Sequence, residues 1–255
     1  MALFKSSNPA LSEKTFSRDT VLGEIVSPEN AMTVRGTLNK FGFLFLMVMG
    51  TAFYAWSEFY DNPEGAMPLM LTGVIGGLIV ALIIIFKKSW APFLAPAYAL
   101  LEGLFLGAVS AFYNAAFAEQ APNIIINAVG LTFGVVIAMY LLYNFRIIRA
   151  TQRFKAIVLT ATVGIGIFYL ITLVLGAFGA SIPFLHEGSA MGIGFSLIVV
   201  GIAAMNLIID FDLIEQGAAS NAPKYMEWFS AFGLLVTIVW LYLEILRLLS
   251  KLSKR

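Results

Sequence analysis

From residue 41 onward the chain repeats one feature, an apolar run of close to the roughly 20 residues that cross about 30 Å of hydrocarbon. Seven such runs can be placed: 41–57, 67–86, from 90 or 93 to 117, 124–143, 156–178, from 191 past Asp210, and a last one ending near Leu249. With 60% of residues hydrophobic and 12% charged, a globule in water could not bury that surface. The expected fold is therefore all-α, a polytopic membrane protein with seven transmembrane helices. Residues 1–40 read as a cytoplasmic N-terminal arm and 41–255 as the membrane domain. The first run ends in Phe53, Tyr54, Trp56, Phe59 and Tyr60, the composition of an interfacial belt. The very short connection between the second and third runs makes those helices antiparallel neighbours.

Loop charges orient the bundle, because short loops rich in Lys and Arg stay in the cytoplasm. The arm holds Lys5, Lys14, Arg18, Arg35 and Lys40 and lacks the apolar core of a cleavable signal. Lys87 and Lys88 follow the second run, and Arg146, Arg149, Arg153 and Lys155 follow the fourth. The alternate loops, 59–66, 118–123 and 179–190, carry no Lys or Arg, which places the N-terminus inside. The tail disagrees: Arg247, Lys251, Lys254 and Arg255 are exported if the last helix crosses fully. Either the tail lies outside against the rule or the last segment is re-entrant.

Several classes of chemistry are disfavoured. There are no cysteines, hence no disulfides, thiolate metal sites or cysteine nucleophiles. A net charge of +1 offers no field for nucleic acid. His186, the single histidine, sits in a loop without the spacing of a zinc site. GxSxG, HExxH and the phosphate-binding glycine loop are absent, so no enzymatic activity is expected. Glycine pairs at 73/77, 103/107 and 130/134 have the spacing that lets helix backbones approach in lipid.

Acids inside apolar runs are the candidates, because an ionised side chain in lipid costs several kcal/mol unless it is paired or hydrated. Glu102 falls in the third run, on a thin polar stripe with Tyr98, Ser110 and Asn114. Such a stripe lines a wet cavity or joins an interhelical hydrogen-bond network. Asp210 and Asp212 stand about 200° apart on a helix, so they cannot share a face. Asp212 goes with Glu215 and Gln216, the pattern of a helix leaving the membrane, and Asp210 goes with Asn206, which makes Asp210 the inward acid. Glu244 lies among Trp240, Leu241 and Tyr242, with Arg247 one turn on as an alternative, purely neutralising partner.

The phrases IDFDLIEQ and LYLEILRLLSKL, with seven spans and a basic arm, resemble the Bax inhibitor family in its bacterial branch. MTVRGTLNKFGFLF and YALLEGLFLG add to the likeness, which covers about residues 30–255. The resemblance implies a last helix wrapped by the other six. It also implies an acid pair on helices six and seven that acts as a proton-sensitive latch on a calcium leak. Asp210 would match the aspartate of the family's tyrosine-aspartate motif, with Ile209 in place of the tyrosine. Glu244 would match the second acid, a glutamate here in place of aspartate. Lys87 and Lys88 are the nearest bases to pair with such a latch.

Two carboxyls forced together in a low dielectric cannot both ionise cheaply and share a proton; ionised, they offer the hard oxygens calcium prefers. Carbonyls, waters and Glu102 would complete its shell. For Asp210 and Glu244 to lie at one depth, residues 224–232 must run along the interface, with a bend near Phe232–Gly233; otherwise Glu227 is the acid to test with Asp210. The expected protein is a pH-sensitive calcium or other cation leak channel, or its regulator, in a bacterial inner membrane. The alternative is a non-conducting protein that docks on other membrane proteins through its arm and glycine faces.

Overall fold

In a computed structural model describing residues 30–179 and 188–254, seven helices are long and apolar enough to cross a membrane. They are α1 (Val34–Asp61), α2 (Pro63–Phe86), α3 (Ala91–Ala116), α4 (Ile124–Asn144), α5 (Gln152–Ala177), α6 (Ala190–Ala219) and α7 (Met226–Ser253). Hydrocarbon offers backbone groups no partners, and a helix satisfies them within its own segment. Among the described residues, extended pairing is confined to one isolated bridge, Ala31 with Pro223. His186 lies outside the described residues.

α1 begins well before the apolar run at residue 41, so the last residues of the expected arm are helical. The start is set by Thr33, whose hydroxyl accepts from the Gly36 amide at 2.9 Å. Thr151 caps α5 in the same way, accepting from the Phe154 amide at 3.2 Å. α6 ends on Asn221 in the left-handed region (φ 54°). The Ala222 amide donates back to Gly217 at 3.0 Å and the Asn221 amide to Ala218 at 3.2 Å, which satisfies the last carbonyls.

The chain forms two compact units, divided within α6 after Phe211 and within α7 after Val236. The first contains α1–α3, the end of α6 and the start of α7. Its helices close on glycine. A Cβ on Gly73 would stand 2.7 Å from the Leu101 carbonyl oxygen, and one on Gly77 3.4 Å from Glu102 Oε2, the pattern of an antiparallel α2–α3 contact. Gly103 and Gly107 lie directly on the α1 backbone at Val48 and Ala52. The second unit contains α4, α5 and the remainders of α6 and α7. There, among the described residues, Gly130 and Gly134 have nothing within 4 Å of an added Cβ, so this third glycine pair packs against none of them.

α7 is the most buried of the seven helices and α5 among the least. It is one continuous helix, which corrects the expectation of an interfacial piece and a bend at Phe232–Gly233. The first turns can be buried because the charge they carry, Glu227, is neutralised locally by Lys40 and Lys224. Lys251, near the end of α7, donates to the Gly192 carbonyl at 3.0 Å and to Ser196 Oγ at 2.8 Å, near the start of α6. Within the second unit, the C-terminal half of α7 therefore runs antiparallel beside the N-terminal half of α6.

Candidate functional site

Three buried acids on α6 and α7 meet three different fates, and the register of the two helices decides which. Asp210 is 4% exposed on α6. Its neighbour Phe211 packs edge-on against Tyr140 of α4 at 5.6 Å and tilted against Tyr143 at 6.0 Å. One turn earlier, Asn206 donates to Thr162 Oγ1 of α5 at 2.8 Å and to the Ile202 carbonyl at 2.9 Å. With these two faces taken, Asp210 turns to α7, where the Thr237 hydroxyl donates to it. Among the described residues, its Oδ2 has no hydrogen-bond partner. Asp212 is half-buried and accepts from Gln216 at 2.5 Å.

Glu244 does not meet Asp210, which corrects the expected carboxyl pair and the calcium site built on it. Fourteen residues separate Ser196 from Asp210 on α6, and fourteen separate Thr237 from Lys251 on α7, so the two contacts define one antiparallel register. In that register Glu244 stands level with Ala203, seven residues or about 10 Å along the axis from Asp210. Its carboxylate is already satisfied. Arg247 donates to both oxygens at 2.9 and 3.0 Å, Tyr169 of α5 lies at 2.9 and 3.1 Å, and Trp240 Nε1 lies at 3.3 Å. Arg247 also donates to the Tyr169 hydroxyl at 2.5 Å and covers its ring at 4.8 Å. The neutralising reading of Arg247 is the one the geometry supports.

Glu227, fully buried at the start of α7, belongs to α1. Oε1 accepts from the Thr33 amide and hydroxyl, both at 2.9 Å, and lies 3.0 Å from Lys224 Nζ, while Oε2 is paired with Lys40. The carboxylate thus caps a helix N-terminus from a distant segment, where negative charge is favoured. Beside it, the Met32 amide donates to the Ala222 carbonyl at 2.7 Å, tying the residues before α1 to the α6–α7 turn.

In the first unit, Glu102 is 9% exposed and bonded to the Tyr98 hydroxyl one turn away, and Tyr98 packs edge-on against Phe232 at 4.8 Å. Lys87 and Lys88 do not act as bases for the acid pair: Lys87 covers Trp90 at 4.4 Å and Lys88 covers Phe229 at 5.6 Å. Among the described residues, no group of three or more His, Cys, Asp or Glu side chains could hold a metal.

The residues missed in the sequence are Thr237, Thr162 and Tyr169, neutral hydroxyls in apolar runs. One signal was available. Asp210 lies ten residues before Ser220, and an unbroken α7 reaches the same depth near residue 237.

No curated protein and no solved structure matches the chain. A family model described as Bax inhibitor 1 like matches residues 6–254, nearly the whole chain. With seven spanning helices, the chain belongs to the Bax inhibitor 1-like family and is an integral membrane protein.

Proposed function

We propose that the protein is a cation leak pathway, or a regulator of membrane ion homeostasis, with Asp210 alone as its titratable gate. The observation that carries this reading is a carboxyl buried in a spanning helix with a hydroxyl donor and an oxygen that has no hydrogen-bond partner among the described residues. An isolated ionised carboxylate there is too costly to be a structural device. Oδ2 must carry a proton or meet water or a cation. The protonated group offers no charge to a cation, while the ionised group offers a hard oxygen ligand, so flux rises as pH rises. Calcium as the permeant ion and a bacterial plasma membrane are what the family resemblance implies, and the loop charges support a cytoplasmic N-terminus.

The test is calcium flux into liposomes that contain only this protein. Flux above that of protein-free liposomes is expected, and none at any pH would remove the reading. A non-conducting adaptor is favoured by one observation, the open Gly130/Gly134 face of α4. An adaptor would leave the liposomes tight.

A further inference from the structure

Within the first unit, one turn of α7 gathers ammonium groups from three places in the chain. Glu227, Trp228 and Phe229 are consecutive, and each meets a lysine. Lys40 of α1 and Lys224 both pair with the Glu227 carboxylate, and Lys40 also stands 5.5 Å from the centre of the Trp228 ring. Lys88, in the link between α2 and α3, stands 5.6 Å over Phe229. Next to it in the same link, Lys87 stands 4.4 Å over Trp90. All of these residues belong to the first unit.

The four cations are unequally matched. Lys40 and Lys224 share one carboxylate, whereas Lys87 and Lys88 have ring faces and no carboxylate as partners among the described residues. A ring face attracts an ammonium but cancels none of its charge and leaves N–H donors unspent. The unspent charge lies where hydrocarbon gives way to water, since α2 ends at Phe86 and α3 begins at Ala91.

The link reads Phe86-Lys87-Lys88-Ser89-Trp90-Ala91-Pro92-Phe93. Phe86 is 78% exposed, Trp90 49% and Phe93 81%, beside the ends of two spanning helices. Aromatic rings at such ends sit at the level of the lipid headgroups. The anion found at that level is the phosphate of a phospholipid. One link thus offers ammoniums to a phosphate and exposed rings to the chains below it. A lysine that only kept the link in water would extend into it, but Lys88 is half-buried over Phe229.

We propose that the α2–α3 link, backed by the first turn of α7, is a docking site for the headgroup of an anionic phospholipid. Lys87 and Lys88 donate to the phosphate. Lys224, with 48% of its side chain exposed, adds to the positive field, and Phe86 and Phe93 lie against the acyl chains. The site is independent of Asp210 and of any conduction.

Native mass spectrometry of the full chain in detergent counts the lipids that stay bound. Titrated separately with dioleoyl phosphatidylglycerol and dioleoyl phosphatidylcholine, the wild-type chain should bind the first anionic lipid about tenfold more tightly than the neutral one. Lys87→Gln/Lys88→Gln should remove most of that preference. Lys87→Arg/Lys88→Arg should keep it, which separates lost charge from a damaged link. Arg149→Gln/Arg153→Gln takes two exposed cations from the segment between α4 and α5 and should leave the preference intact. Equal affinity of the wild-type chain for the two lipids overturns the site. An equal loss in Arg149→Gln/Arg153→Gln also overturns it, because surface charge alone would then recruit the lipid. Millimolar inorganic phosphate should not displace the bound lipid; displacement would assign the lysines to a free anion and overturn the lipid as occupant.

Discussion

Glu227 and Asp210 are both carboxylates buried beside the α6–α7 hairpin, yet the protein treats them in opposite ways. Glu227 receives a backbone amide, a hydroxyl and two ammonium groups, and its charge lies at a helix N-terminus. Asp210 receives one hydroxyl, and one of its oxygens has no partner among the described residues. A fully partnered buried acid is part of the fold, and its removal leaves its cations unmatched. An under-partnered one adds little to stability. Burial alone does not separate the two; the donor inventory does.

Removing each charge in turn sharpens the contrast most. Glu227→Gln should lower stability by about 2–3 kcal/mol, less than for a fully enclosed pair because the lysines can reach water. Asp210→Asn should leave stability unchanged or raise it. Thermal unfolding in detergent, followed by tryptophan fluorescence, reads both, and equal losses would erase the distinction. A smaller effect separates the glycines: Gly107→Ala drives a Cβ into the Ala52 carbonyl of α1 and should cost about 1–2 kcal/mol. Gly130→Ala meets nothing within 4 Å among the described residues and should stabilise by about 0.5–1 kcal/mol. Smallest among the losses, Thr237→Val removes the hydroxyl that donates to Asp210 and should cost about 1 kcal/mol. A larger loss would show that Asp210 is held as firmly as Glu227.

The membrane helices were legible in the sequence because apolar length is a local property, and α2, α4 and α5 begin and end close to the expected apolar runs. The site was legible only in part. Asp210 stands out as an acid in an apolar run, but its partner depends on the register of α6 against α7. A resemblance in motif placed the second acid on Glu244, seven residues too far along. The assumption that an acid must meet an acid forced a bend into α7 that Glu227, neutralised by Lys40 from α1, makes unnecessary. Lys40 and Glu227 are 187 residues apart, and no local pattern announces such a pair.

The most direct measurement is the pH dependence of calcium flux in proteoliposomes for the wild-type chain, Asp210→Asn and Glu244→Gln. With Asp210 as the single titratable gate, wild-type flux rises with pH, and Asp210→Asn flattens that rise. Glu244→Gln changes the amplitude and keeps the pH profile. A profile lost in Glu244→Gln, or unchanged in Asp210→Asn, would contradict the assignment of the gate to Asp210.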